Sequence, residues 1–135
     1  MRIGRRGFLA GAASALAAPA VLAQGGAMRF PNPYGETVLK EPATRVVSAG
    51  YTTQDPLLAL GTVPVALRFW FGDYPDGIWP WATQLVQDAQ PEVMRGEISV
   101  ETIAGLGPEL IVAIGSGMSK AEYCLLYTSP SPRDS

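Results

Sequence analysis

Strand-like runs and short capped helices alternate along the middle of this chain, and that alternation restricts the fold more than any other feature. Arg45-Val46-Val47-Ser48-Ala49-Gly50 is apolar and β-branched and ends in Gly, as a strand buried on both faces does. Thr53 stands where it can cap a helix over about Gln54 to Leu60, with Asp55 and Pro56 in the first turn and Gly61 to stop it. Val63-Pro64-Val65-Ala66-Leu67 reads as a second strand, its Pro64 suited to a strand start or an edge. A helix is expected from about Pro80 to Gln87, then a short strand at Val93-Met94. Ser99 caps a further helix through Val100, Ile103, Ala104 and Leu106, with Glu101 in its first turn and Gly107-Pro108 at its end. Glu109-Leu110-Ile111-Val112-Ala113-Ile114-Gly115 is another buried strand, and a helix begins at Ser119. Such alternation predicts an α/β fold, a single Rossmann-like lobe with a parallel sheet flanked by helices.

The two ends of the chain differ from this middle. Arg5-Arg6-Gly7-Phe8-Leu9 leads into an uncharged, Ala- and Gly-rich run from Phe8 to Leu22, followed by Val21-Leu22-Ala23. A basic start, an apolar run and a small-residue site form the layout of a secretory signal, with cleavage expected after Ala23. The run is about fifteen residues, short of the roughly 20 that a membrane-spanning helix needs. The paired arginines resemble those of twin-arginine export signals, so residues 1–23 are expected to be removed on export to the periplasm. Residues 24–44 read as a Gly/Pro-rich leader followed by a short edge strand over Glu36-Thr37-Val38-Leu39-Lys40. At the other end, Cys124 to Ser135 turns abruptly into a Ser/Pro stretch that can neither extend a helix nor pack a core. It resembles a translated sequencing adaptor, so residues 124–135 are expected to be non-native and the frame to end artificially.

Composition narrows the chemistry. Setting aside Arg2, Arg5, Arg6, Arg133 and Asp134 leaves 6 of the 10 basic and 11 of the 12 acidic residues, a charge of about −5. No basic run remains, which argues against nucleic acid as a partner. The chain has no His and one Cys, Cys124. A conventional zinc site, an internal disulfide, a Cys–His pair and a Ser–His–Asp triad are therefore outside its reach. No cofactor is expected.

In a sheet of this kind, ligands bind at the loops leaving the carboxyl ends of the strands. Three such loops are predicted: Gly50-Tyr51-Thr52-Thr53, Arg68-Phe69-Trp70-Phe71-Gly72-Asp73 and Gly115-Ser116-Gly117-Met118-Ser119. The candidate ligand-binding residues are Tyr51, Thr52, Arg68, Trp70, Phe71, Ser116 and Met118. Arg68 offers a planar fork for anionic oxygen, and Tyr51, Trp70 and Phe71 offer broad faces with little entropy to lose. Ser116 and Thr52 offer hydroxyls. Trp79 and Trp81 are assigned to packing, as large aromatics mostly fill cores. Asp73 and Asp76 are assigned to turns. Gly115-Ser116-Gly117 lacks the spacing of a phosphate loop.

Several stretches carry a resemblance. Arg45-Val46-Val47-Ser48-Ala49-Gly50-Tyr51 with Asp55-Pro56-Leu57-Leu58-Ala59-Leu60-Gly61-Thr62-Val63-Pro64-Val65-Ala66 resembles the opening of periplasmic binding proteins for iron–siderophores and cobalamin. Ser99 to Val112, which ends in Pro108-Glu109-Leu110-Ile111-Val112, is similar to their next signature. Phe71-Gly72-Asp73-Tyr74-Pro75 and Trp79-Pro80-Trp81 resemble the iron–siderophore branch. The resemblance covers residues 45–123 and implies the N-terminal lobe of a two-lobed protein that holds its ligand between lobes. It further implies a binding role rather than catalysis: capture of a ferric siderophore or similar chelate, with haem or cobalamin as alternatives, and delivery to an ABC transporter permease. The family's linking helix and second lobe are not encoded here. The competing expectation is the N-terminal part of an exported α/β enzyme whose catalytic half is missing.

Overall fold

The computed structural model describes residues 26–128. The expected signal and most of the expected non-native tail lie outside them. The first element is a hairpin, β1 (Met28–Asn32) and β2 (Gly35–Leu39), paired antiparallel from Met28↔Leu39 to Asn32↔Gly35. The strand expected at Glu36–Lys40 is β2. β1 falls in the stretch read as a leader, whose Pro31 and Pro33 signal a break. Pro31 is tolerated because the two-stranded hairpin leaves every strand at an edge.

The main sheet has four strands in the order β5-β4-β3-β6. They are β3 (Val46–Ser48), β4 (Ala66–Arg68), β5 (Glu92–Met94) and β6 (Leu110–Val112). All three pairings are parallel, with Val47 opposite Ala66 and Ile111, and Leu67 opposite Val93. β3 and β4 are buried at every position, which explains why their runs are apolar except at the carboxyl ends, where Ser48 and Arg68 are buried with hydrogen-bond partners. β4 starts later than Val63 because it is a central strand and Pro64 has no N–H for a ladder. The first donor is Val65, whose N–H reaches the Val46 carbonyl at 2.8 Å.

Helices cover both faces. α1 (Gln54–Ala59), a 3-10 turn at Pro80–Ala82 and α2 (Thr83–Val86) pack together. Leu58, Leu67, Ile78, Ala82 and Val86 form the core beneath them. On the other face, α3 (Val100–Gly105) packs on α4 (Lys120–Thr128). The core there is Val47, Ala49, Ala66, Met94 and Ile103, with Met118 and Leu126 against it. The single helix expected over 80–87 is thus a 3-10 turn leading into a short α-helix, and Gln87 leaves it with φ 52°. The helix begun at Ser119 runs on past Tyr123 to Thr128, through the change in composition.

Glu109 explains the acid after Pro108. Its carboxylate accepts from Thr44 N–H at 2.6 Å, Thr44 Oγ1 at 3.1 Å and Arg45 N–H at 3.1 Å, tying the entries of β3 and β6 together. Arg45 in turn donates to the Leu106 carbonyl at 2.5 Å, capping the end of α3.

Candidate functional site

From β3 the chain steps to β4 and β5 on one side, then returns to place β6 on the other. The carboxyl ends of β3 and β6 therefore flank a topological switch point, where an open parallel sheet leaves a crevice for ligands. Gly50 stands at that point. A Cβ there would collide with the Ile114 carbonyl oxygen and meet Thr53 Cγ2 at 2.7 Å, so the loops from β3 and β6 approach as closely as they do only because residue 50 has no side chain.

Three predicted site residues come together on this rim. Tyr51 lies 6.1 Å from Trp70 between ring centroids, and Trp70 meets Phe71 edge-on at 4.4 Å. The row continues from Phe71 to Trp79 at 5.3 Å and from Trp79 to Tyr74 at 5.2 Å. These tilted and edge-to-face geometries are the favoured ones for aromatic pairs. Trp70 and Phe71 are each 52% exposed and Tyr74 is 37% exposed. An aromatic ledge this open on a folded surface needs a partner to cover it. Trp79 is half-buried within the row, in keeping with its packing assignment, whereas Trp81 is 53% exposed. Thr52 is exposed beside Tyr51.

The other three predicted residues are engaged elsewhere. Arg68 is 2% exposed. Its Nε and Nη2 donate to the Gly96 carbonyl at 2.9 and 2.7 Å, and its Nη1 to the Ser116 carbonyl at 2.8 Å. Its guanidinium carbon lies 4.1 Å from the Tyr51 ring centroid, within cation–π range. The alternation of β4 sends Ala66 and Arg68 to the α3 side of the sheet, which takes Arg68 beneath the rim rather than onto it. Ser116 is buried, and its hydroxyl accepts from the Met118 N–H at 3.1 Å. Met118 packs against the core, and its carbonyl accepts from Tyr34 Oη at 2.8 Å. Both residues shape the loop after β6 instead of facing outward.

The expected cap at Thr53 is also redirected. Thr53 makes no side-chain cap bond to α1. Its hydroxyl turns back onto the Ser48 hydroxyl and the Gly50 carbonyl, bracing the turn after β3.

Sequence reading missed the loop that leaves β5. Arg95 is exposed at its start, with its guanidinium carbon 4.1 Å from the Phe69 ring centroid and Nη2 donating to the Pro75 carbonyl at 2.6 Å. The signal was present as a cation directly after a strand-like run, but the run is so short that its end was not read as part of the rim.

A separate cavity of about 720 Å³ lies between the hairpin, β6 and α4. It follows the outer edge of β6 and the loop after it, and is lined by Tyr34, Leu110, Ser116, Met118, Tyr123 and Leu126 among others, so two of the predicted site residues border this cavity and not the aromatic row. The open aromatic ledge is the better candidate site because it stands on the switch-point rim, while the cavity runs from the loop after β6 along an outer sheet edge and beneath the hairpin.

No protein-family model matches the chain, and no curated protein matches it. Solved structures do. A periplasmic solute-binding protein from Mycobacterium smegmatis is 44% identical over 78% of this chain and 38% of its own, with a TM-score of 0.74. The iron uptake ABC transporter substrate-binding protein PiaA from Streptococcus pneumoniae shares the fold at 24% identity and a TM-score of 0.59, over 76% of this chain and 35% of its own. PiaA in complex with ferrichrome matches at 25% identity and a TM-score of 0.60, over 73% and 35%. The chain thus spans less than two fifths of the length of these relatives. Its four-stranded parallel sheet with helices on both faces matches a single lobe of their fold, and over this part the chain is similar to periplasmic solute-binding proteins.

Proposed function

We propose that this chain is the solute-capturing part of an ABC importer, and that it takes a ferric siderophore or similar chelate outside the cytoplasmic membrane for delivery to a permease. The observation that carries this reading is the aromatic row at the switch point of the sheet, in which exposed Trp70 and Phe71 stand between half-buried Tyr51 and Trp79. Broad rigid rings suit the organic shell of a chelate, since they bury much area for little lost entropy. Arg95, exposed beside the row, offers a cation to negatively charged chelate oxygen. Arg68 is held too deep for direct contact. The complex of PiaA with ferrichrome supports the choice of ligand class. The signal-like residues 1–23 support export by the twin-arginine route and a periplasmic location.

Isothermal titration of the chain with ferric ferrichrome tests the reading. Trp70→Ala and Tyr51→Ala are each expected to weaken binding about tenfold, the loss of roughly one aromatic contact. Unchanged affinity in both variants would remove the aromatic row as the binding wall.

A further inference from the structure

One side chain at the carboxyl end of β4 reaches the loops that leave the other three strands. Arg68 donates to Gly96 in the loop after β5 and to Ser116 in the loop after β6, and it lies against the ring of Tyr51 in the loop after β3. A guanidinium that is 2% exposed would be costly to bury without such partners. Charge-assisted bonds to carbonyls are among the stronger hydrogen bonds, and the planar fork lets one group bridge two loops at once.

Those loops need a tie. Ser116 lies between Gly115 and Gly117, which have φ of 64° and 75°. A Cβ at either would meet nothing within 4 Å, so the two glycines add no packing of their own on either side of Ser116, and glycine leaves the backbone there many alternatives. Tyr51 is the ring on which the aromatic row begins, with the guanidinium 4.1 Å from its centroid and the Trp70 ring 6.1 Å away.

We propose that Arg68 is a positioning residue of the ligand-binding rim. It holds the loops after β3, β5 and β6 in one arrangement and orients Tyr51 toward Trp70, without touching the ligand. The consequence for affinity rests on the binding reading above, whereas the consequence for the loops stands without it. Binding to a rim already fixed in its bound form avoids the cost of ordering it, so the tie acts on affinity through Tyr51 and its neighbours.

The test is hydrogen–deuterium exchange on the whole chain, as isolated and as Arg68→Ala and Arg68→Lys, joined to titration with ferric ferrichrome followed by tryptophan fluorescence. Arg68→Ala is expected to raise exchange at residues 50–53, 95–98 and 115–118 together, while the amides of β3 and β6 keep their protection. Millimolar guanidinium, which can refill the vacated slot, is expected to reverse the rise, and urea at the same concentration is not. Arg68→Lys keeps the charge but cannot bridge both carbonyls, so it loosens the same loops to a smaller extent. Ferrichrome affinity is expected to fall about tenfold in Arg68→Ala. Faster exchange confined to residues next to position 68, or spread evenly through the sheet, overturns the proposal. So does unchanged affinity in a variant whose loops have loosened. If the unsubstituted chain fails to bind ferrichrome, the binding reading falls, and the exchange and guanidinium arms still judge the tie.

Discussion

At Gly50 the β3 and β6 loops touch through backbone, and a single methyl group is enough to part them. The Ile114 carbonyl oxygen occupies the space a Cβ would need, and it belongs to main chain that cannot rotate away. Gly50→Ala is therefore expected to cost about 1–3 kcal/mol, as overpacking does, read as a lower urea midpoint. It should also dull the near-ultraviolet circular dichroism of the aromatic row, because the shift begins one residue before Tyr51. A midpoint equal to that of the unsubstituted chain would show that the loops part freely. Side-chain roles were legible at this scale only in part. Tyr51, Trp70 and Phe71 were found as a set because strand ends and ring types are both readable. Arg68 was placed on the correct loop, yet its burial could not be read, since it depends on which face of β4 it leaves from and on two carbonyls 28 and 48 residues away.

Helix starts show the same division at the scale of elements. Ser99 caps α3 as its sequence predicts, accepting from the Thr102 N–H at 3.2 Å. Thr53 does not cap α1, because Ser48 and Gly50 compete for its hydroxyl through the fold. At α4, Ser119 and Glu122 form a reciprocal capping box. The Glu122 carboxylate accepts from Ser119 Oγ at 2.6 Å and from its N–H at 2.7 Å, and the Glu122 N–H donates back to Ser119 Oγ at 3.3 Å. The hydroxyl bond from Ser119 is the main reason the Glu122 carboxyl is held below its ordinary value of 4.5, with the Ser119 N–H and the charge of Arg68 adding to it. A depressed acid stabilises the fold above its unfolded value, and that stability is lost as pH falls through the folded one. Acidification below 4.5 is thus expected to fray α4, seen as faster amide exchange at its first turn. Ser119→Ala should flatten that dependence; an identical pH profile in the variant would contradict it.

Across the described residues, one parallel sheet separates two cores, and Leu67 is a fully buried member of the core under α1 and α2, with Leu58 beside it. Leu67 also fills the space beside Gly77, where a Cβ would meet its Cδ1 at 2.6 Å. Leu67→Ala is expected to cost about 2–5 kcal/mol, measured as a lowered midpoint of thermal unfolding that stays a single transition. A split transition would mean that the two faces of the sheet unfold separately. The sequence by itself determined the class of the fold. Largely apolar runs bounded by Gly and by helix caps permit little except strands buried between helices, because burial on both faces leaves room for a polar residue only where it finds a partner. It also determined which rings would stand at the strand ends. Only the tertiary structure decided the strand order, and with it the switch point between β3 and β6, because parallel pairing joins Val47 to Ala66 and to Ile111, far apart in the chain, with no local signal. It likewise decided that Arg68 would tie the rim from below while Arg95 stayed exposed on it: a guanidinium in either position looks the same in sequence, and only the neighbours that reach it from other strands set its role.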